Sequence, residues 1–217
     1  MENVREYLNK LRHDFSKLSL SEKDVNDNPI KQFEAWFTQA VESKVLEPNA
    51  MVLSTASKDS VPSARVLLLR NFEANGFVFY TNYHSRKSKD IHENPKANML
   101  FFWPELERQV RIEGVLEKQS DAESDLYFAS RPRGSKLGAW TSPQSEKIAS
   151  RDFIDKKLKE FETRFPGEDI PRPPYWGGYV LKPNRIEFWQ GRQSRLHDRI
   201  VYELNQNNSW DIYRIAP

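Results

Sequence analysis

Asn75-Gly76 sits between two apolar runs, VPSARVLLLRNF before it and GFVFYTN after it. A two-residue Asn-Gly loop favours a turn whose twist matches that of its flanking strands, so this dipeptide commits the middle of the chain to an antiparallel hairpin. The surrounding segments agree. AMVLSTAS, ANMLFFW, RQVRIEGVLEKQ, YWGGYVL, RIEFWQ, RIVYEL and SWDIYRI read as further strands, with KDS and NQNN as turns, and VPSARVLLLRNF reads as one long strand with a buried centre. Helical patterns fall between them without alternating one for one. Ile30, Phe33, Phe37, Ala40 and Val41 line one face of a helix that Asn28 caps and Pro29 opens, running to about Lys44. Ser85 to Asn94 predicts a short helix closed by Pro95. Ser120 with Glu123 forms a capping box that opens a helix through Ala129, helped to end by Pro132. Residues 145 to 165 carry Ile148, Phe153, Leu158, Phe161 and Phe165 in a helical pattern. Tyr7, Leu8, Leu11, Phe15 and Leu18 predict one more amphipathic helix, followed by a loop at SLSEKDVNDN. Short antiparallel strands with a few inserted helices predict the α+β class and a closed or partly closed barrel, not a doubly wound sheet.

Hydrophobic residues make up 38% of the 217 and aromatics 12%, so the core is expected to be rich in aromatic rings, with dimerisation a way to complete its burial. Lys and Arg number 33 against 31 Asp and Glu, a balance that argues against bulk attraction to nucleic acid or anionic membrane. The absence of cysteine removes disulfides, thiolate nucleophiles and thiolate metal sites together. No apolar run reaches membrane-spanning length, and MENVREYLNK lacks the apolar core of a signal peptide. A soluble, cytoplasmic protein is the expectation.

Only 8 glycines are present, and none builds a P-loop or a G-x-G-x-x-G turn. Any phosphate must then be held mainly by side chains. Arg65 and Arg70 lie in an apolar strand that would not carry idle guanidiniums. Arg86 and Lys87 open a helix, where backbone N–H groups also favour an anion, although basic residues at 86, 87 and 89 equally suit a solvated face. Arg131 and Ser135 fall in SRPRGS, read as a helix end and loop. The stretch IEFWQGRQSRLHDR, residues 186 to 199, begins as a half-buried strand and ends in a polar cluster. Arg195, His197 and Arg199 share a parity, so an extended chain would turn two guanidiniums and an imidazole to one face, a place for an anion with one group titrating near neutrality. The same charges could instead pair with Asp198 and Glu187. His13, His84, His92 and His197 form no metal-ligand pair, and no G-x-S-x-G surrounds a serine. An organic cofactor explains a phosphate-rich site better than a metal or a nucleophile.

Taken in order, RVLLLR (65–70), FYTNYHSRK (79–87), LERQVRIEG (106–114), YFASRPRGSKLGAW (127–140), PQS (143–145), WGG (176–178), IEFWQG (186–191), RLHDR (195–199) and RIAP (214–217) closely resemble the pyridoxamine/pyridoxine 5′-phosphate oxidases, over nearly the whole chain. The resemblance implies an FMN-binding split β-barrel, antiparallel and Greek-key-like with flanking helices. It implies a homodimer with two FMN sites at the subunit interface. Residues 1–28 would form an N-terminal helical or lid segment and 29–217 a single domain. Carried over position by position, Arg65, Arg86 and Lys87 would hold the FMN phosphate region. Tyr80, Thr81 and Gln109 would meet the cofactor from one subunit, and Gln144, Ser145, Trp189 and Arg199 from the other. Arg70, Tyr127, Arg131 and Ser135 would clamp the substrate phosphate, with Arg195 and His197 over the pyridine ring and Arg12 in the covering segment.

Three positions depart from the family pattern. Arg70 stands where lysine is usual, and a forked guanidinium is larger than an ammonium. Lys136 replaces a common glutamine, and the R-R-E-Y segment becomes Arg12-His13-Asp14-Phe15. The activity implied is oxidation of pyridoxamine or pyridoxine 5′-phosphate to pyridoxal 5′-phosphate, with O2 as acceptor and hydrogen peroxide released. The alternatives are a related flavin oxidase on another aromatic substrate, as in phenazine pathways, and a non-catalytic flavin or pyridoxal phosphate binder on the same barrel.

Overall fold

The computed structural model describes residues 15–217. Helix α1 (Pro29–Glu42) is followed by strands β1 (Ala50–Ala56), β2 (Pro62–Leu68), β3 (Asn71–Glu73) and β4 (Gly76–Asn82). Then come α2 (Arg86–Glu93), β5 (Lys96–Trp103) and β6 (Arg108–Lys118). Three helices follow, α3 (Asp121–Ser130), α4 (Arg133–Thr141) and α5 (Arg151–Arg164), and then β7 (Trp176–Gln190), β8 (Asp198–Leu204) and β9 (Trp210–Arg214). The strand order is β2-β1-β5-β6-β7-β4-β3, with β8 added to β7 and β9 to β8. The β1–β2, β3–β4, β4–β7, β7–β8 and β8–β9 pairings are antiparallel. No helix among the described residues is long and apolar enough to cross a membrane.

The chain divides into two compact units. The first takes the chain up to Pro48 with Leu100–Ile112 and Arg185–Pro217. Its core starts from α1. The Asn28 side-chain oxygen accepts from the Ile30 and Lys31 N–H groups at 2.8 and 3.3 Å, a cap worth about 1 kcal/mol. Phe33, Trp36 and Ala40 then fall on one buried face. Phe33 packs against Phe101 with ring centroids 5.1 Å apart, and Trp36 against Phe188, also at 5.1 Å. Phe188 meets Tyr202 at 5.5 Å, and the Tyr202 hydroxyl donates to the Asn26 carbonyl at 2.6 Å, fixing the entry to α1.

The second unit is Asn49–Met99 with Glu113–Asn184. The Asn75-Gly76 turn joins β3 to β4 as expected, with Glu73 opposite Gly76. Gly76 has φ +124°, and a Cβ there would stand 2.1 Å from the Leu181 carbonyl oxygen, so both conformation and space demand glycine. Phe128, Leu137, Phe161, Ile170 and Trp176 form a buried cluster under α3, α4 and α5. The Ser120–Glu123 capping box that opens α3 has both of its reciprocal hydrogen bonds.

Several expectations from sequence are corrected. The long strand around Arg65 is two strands, broken at Leu69–Arg70, and β2 lies at one end of the strand order with Val66 66% exposed rather than buried. The two strands expected at YWGGYVL and RIEFWQ are one 15-residue strand, β7. Arg133–Thr141 is a helix, not a loop: Pro132 accepts at its start from the Ser135 N–H, and Leu137 and Thr141 are buried. The helix expected over 145–165 begins only at Arg151. Phe15 and Leu18 are not helical, and Tyr7, Leu8 and Leu11 lie outside the described residues.

Candidate active site

Helix α2 sorts its basic residues by periodicity. Arg86 and Lys89 are exposed, while Lys87 points inward and is 7% exposed. Its ammonium donates to Thr81 Oγ1, Ser85 Oγ and Gln144 Oε1, each at 3.0 Å. All three acceptors are neutral, and among the described residues no carboxylate is within ion-pair distance. Burial, reinforced by the charge of Arg65, pushes the Lys87 ammonium down to about 8. Arg65, on β2, donates to the Leu53 carbonyl at 3.0 Å, Thr55 Oγ1 at 2.9 Å and Ser63 Oγ at 2.7 Å, with Asp90 at 3.9 Å. Burial lowers its guanidinium, Asp90 opposes that, and the charge of Arg86 adds to it. Arg65, Arg86 and Lys87 therefore form one cationic cluster, in which Arg65 disfavours the charge of Lys87 and Arg86 that of Arg65.

A cavity of 330 Å³ opens beside this cluster, lined by Leu67, Tyr80, Thr81, Arg131, Ser135 and Gln144 among others. Thr81 and Gln144 line it and also bind Lys87, so the two features are continuous. Arg131 caps α3 and lays its guanidinium over the Trp176 ring at 4.5 Å and the Phe128 ring at 5.4 Å. Its Nη1 is buried and has no hydrogen-bond partner among the described residues. Burial lowers this guanidinium too; Tyr127 opposes the shift and the charge of Arg70 adds to it. A buried donor with no acceptor costs about 1–3 kcal/mol, so this atom is set for an acceptor that the described residues do not supply. Tyr80 stacks on Tyr127 at 3.8 Å and on Trp176 at 5.5 Å, giving the cavity a flat aromatic wall. Ser135 reaches the cavity from the helix α4 that the sequence did not reveal. Arg70 is exposed just past β2, and Ser145 sits exposed after α4 with φ 74°.

The remaining expected site residues lie in the first unit. Arg195 and His197 do not share a face by strand parity. Gln193–Arg195 is a 3-10 turn with Ser194 at φ 55° and Arg195 at φ 62°, both left-handed. Arg195 is exposed and makes no hydrogen bond or ion pair among the described residues. His197 packs against Trp189, ring centroids 4.6 Å apart, and Phe15 meets both rings edge-on at 5.7 and 5.9 Å. Phe15 can do so because Gly191 leaves room: a Cβ there would stand 2.6 Å from the Phe15 ring. The Arg192 N–H donates to His197 Nδ1 at 3.0 Å, which leaves the proton of a neutral imidazole on Nε2. Burial and the charge of Arg195 hold this imidazole below its ordinary range, against the pull of Asp198. Asp198 pairs with Arg214 at 2.7 Å and Arg192 at 3.5 Å, not with Arg195.

Arg199 does pair with Glu187, its Nε donating at 2.8 Å, and its Nη1 donates to the Ala216 carbonyl at 2.9 Å. Strand alternation placed Glu187 toward solvent, but it is 1% exposed, with Arg111 at 3.6 Å and Arg185 at 3.4 Å as well. Burial pushes this carboxyl up, yet the Arg199 hydrogen bond and the charges of Arg111, Arg199 and Arg185 together hold it below the usual range. Gln109 turns its amide oxygen to Arg111, accepting from Nε at 2.7 Å and Nη2 at 2.9 Å. Gln109 and Arg199, expected to serve from opposite subunits, are thus joined in one chain through Arg111 and Glu187. Sequence reading named Glu187 as a pairing partner, which the Arg199 contact bears out, but it missed the burial of that carboxylate and the parts of Arg111 and Trp176. Arg12 lies outside the described residues.

An antiparallel sheet with helices packed around it, carrying a cationic cavity with an aromatic wall, defines the class as an α+β split barrel. Residues 37–165 match the model of the family described as pyridoxamine 5′-phosphate oxidase, and 176–217 match that of the pyridoxine 5′-phosphate oxidase C-terminal dimerisation region. The chain belongs to the pyridoxamine 5′-phosphate oxidase family. It is 55% identical over 207 residues to the pyridoxine/pyridoxamine 5′-phosphate oxidase of Cupriavidus metallidurans, covering 95% of this chain and 97% of that one. It is 51% identical over 216 residues to the enzyme of the same name from Rubrobacter xylanophilus, covering 100% of this chain and 99% of that one. Among solved structures it is similar to PhzG from Burkholderia lata in complex with tetrahydrophenazine-1-carboxylic acid, with a TM-score of 0.88, 29% identity, and coverage of 94% of this chain and 100% of that one.

Proposed function

We propose that the chain is a cytoplasmic, homodimeric, FMN-dependent oxidase that converts pyridoxamine and pyridoxine 5′-phosphate to pyridoxal 5′-phosphate. The observation that carries this reading is the buried, partnerless Nη1 of Arg131 beside the cavity of Tyr80, Thr81, Ser135 and Gln144. A phosphate ester supplies the missing acceptor, and the flat wall of Tyr80, Tyr127 and Trp176 suits a planar ring. Lys87, buried among neutral oxygens, is a second cationic position fit for a second phosphate. The residues therefore fit two monophosphate esters, one from the cofactor and one from the substrate.

In this reading Arg65, Arg86 and Lys87 hold the cofactor phosphate. Tyr80, Thr81 and Gln109 contact the rest of the cofactor from the same copy of the chain, and Gln144, Ser145, Trp189 and Arg199 reach it from the second copy. Arg70, Tyr127, Arg131 and Ser135 hold the substrate phosphate and so fix the ring's position before reaction. When bound, FMN would supply a two-electron acceptor for oxidation at the substrate's C4′ carbon, with O2 as the final oxidant and hydrogen peroxide as its product. The alcohol substrate yields the aldehyde directly; the amine substrate also consumes water and releases ammonia. Arg195, with no hydrogen bond or ion pair among the described residues, steadies negative charge on the substrate ring. His197, with Nδ1 occupied by the Arg192 N–H, offers Nε2–H as a donor and orients the substrate rather than removing its proton.

The PhzG likeness raises the alternative of an unphosphorylated aromatic substrate. The identity of 29% there against 55% to a pyridoxine/pyridoxamine 5′-phosphate oxidase, together with Arg131, favours the phosphorylated one. The test is to reconstitute the protein with FMN, add pyridoxine 5′-phosphate in air, and follow aldehyde and peroxide. Equal amounts of both are expected. A yellow protein that forms neither is a binder, and one active only on an unphosphorylated aromatic belongs to the alternative.

A further inference from the structure

Glu187 lies within ion-pair distance of three guanidiniums, those of Arg111, Arg185 and Arg199, and it lies inside the protein rather than on the strand's solvent side. A buried carboxylate of this kind fixes what it binds, because each guanidinium that leaves it strands a charge without solvent. Arg199 is held at two points, Nε on Glu187 at 2.8 Å and Nη1 on the Ala216 carbonyl at 2.9 Å. That fork leaves Nη2 as its uncommitted corner. Arg111, also on Glu187, uses Nε and Nη2 on the Gln109 amide oxygen at 2.7 and 2.9 Å. With its oxygen occupied, Gln109 presents only its NH2 group as a donor. One buried carboxylate thus sets the direction of two donors, the Arg199 guanidinium and the Gln109 amide, on two different strands.

We infer that Glu187 is a positioning residue for the flavin: it orients Arg199 directly, and Gln109 through Arg111, as donors to acceptor atoms of the isoalloxazine ring. The inference rests on the FMN-binding reading above. It assigns the residue no contact with the cofactor, and it accounts for the cost of burying a charge at a strand position that alternation would leave to solvent. The direction in which the arginines move its protonation is consistent, since the carboxyl stays ionised and keeps its grip across the working pH range.

The test compares wild type, E187Q, R199Q and the double variant by FMN titration of apoprotein, following quenching of flavin fluorescence, and by the reduction potential of bound flavin. E187Q keeps the shape and removes the charge. It is expected to weaken FMN at least tenfold and to shift the potential. Its effect in the R199Q background is expected to shrink to threefold or less, because the two act through one contact. E187D, which keeps the charge but shortens its reach, is expected to lose at least threefold in affinity, and it carries the test if E187Q does not fold. Affinity and potential unchanged in E187Q, or unchanged affinity in E187D where that variant carries the test, overturn the inference, as do fully additive effects of E187Q and R199Q. Failure of the wild type itself to bind FMN would instead overturn the functional reading on which this rests.

Discussion

The Lys87 ammonium donates to the Gln144 side-chain oxygen across 3.0 Å, inside a setting where its other acceptors are the hydroxyls of Thr81 and Ser85. A buried cation surrounded by neutral dipoles is poorly compensated, which is why its proton is held only to about 8 instead of 10.5. The sign of the pH effect follows. The unfolded chain keeps this proton up to about 10.5 and the folded chain only to about 8, so the unfolded state binds more protons in that window and apoprotein stability rises with pH across it. Below pH 8 the destabilising contribution is fully present. A bound phosphate favours the charged form, so FMN affinity is expected to fall about tenfold per pH unit above 8, one proton being taken up on binding. K87M is expected to flatten that slope and, at pH 7, to weaken FMN by about 10- to 100-fold, the value of a charge-assisted hydrogen bond. Fluorescence titration at several pH values measures both; an unchanged slope in K87M contradicts the assignment.

Arg131 contributes differently. Its Nη1, without a partner among the described residues, is a burden on the apoprotein, and in the proposed reading a substrate phosphate relieves it. R131M keeps an apolar group over Trp176 and removes the orphaned donor. Thermal unfolding of the apoprotein is expected to change by less than about 1 kcal/mol, while KM for pyridoxine 5′-phosphate rises about 10- to 100-fold. A large loss of stability with an unchanged KM would make Arg131 structural only.

His197 is held neutral by its surroundings, and its Nδ1 accepts from the Arg192 N–H. Its folded value lies below its ordinary 6.5, so the stability tied to this contact is present above 6.5 and is lost as pH falls through the lowered value. The profile of kcat/KM against pH is expected to be level through 6.5 on this residue's account. H197N is expected to retain activity within about tenfold, because a general base removed outright costs about 100- to 10,000-fold. A loss in that larger range would make His197 the proton acceptor.

Gly76 combines φ +124° with a carbonyl oxygen 2.1 Å from where a Cβ would stand. G76A is expected to destabilise the protein by about 2 kcal/mol or more in urea unfolding, with FMN affinity per folded molecule unchanged. A neutral substitution would mean that the β3–β4 turn relaxes freely.

Local signals were the legible ones. Asn28-Pro29, Asn75-Gly76 and the Ser120–Glu123 box act within a few residues, and each stands where the spacing put it. The helix at Arg133–Thr141 was hidden because Pro132, Gly134 and Gly138 read as breakers; burial of Leu137 and Thr141 overrides their local preference. The pairing of Glu187 with an arginine was readable, but its burial was hidden because alternation assumes that a strand's second face meets water, and here three arginines meet it instead. The Arg195–His197–Arg199 grouping assumed extended backbone, which the left-handed Ser194 and Arg195 interrupt. On α2 the composition of the basic run decided nothing. Helical geometry alone separates buried Lys87 from exposed Arg86 and Lys89.

In the proposed reading, cations set in and beside the cavity, Arg131 with its buried Nη1 first among them, select a phosphorylated substrate. The most direct measurement is kcat/KM of the FMN-loaded protein for pyridoxine 5′-phosphate and for unphosphorylated pyridoxine, side by side, in wild type and R131M. The expected result is a preference for the phosphate ester of more than about 100-fold in wild type, falling by at least tenfold in R131M. Equal rates on the two substrates, or a preference that R131M leaves intact, would contradict it.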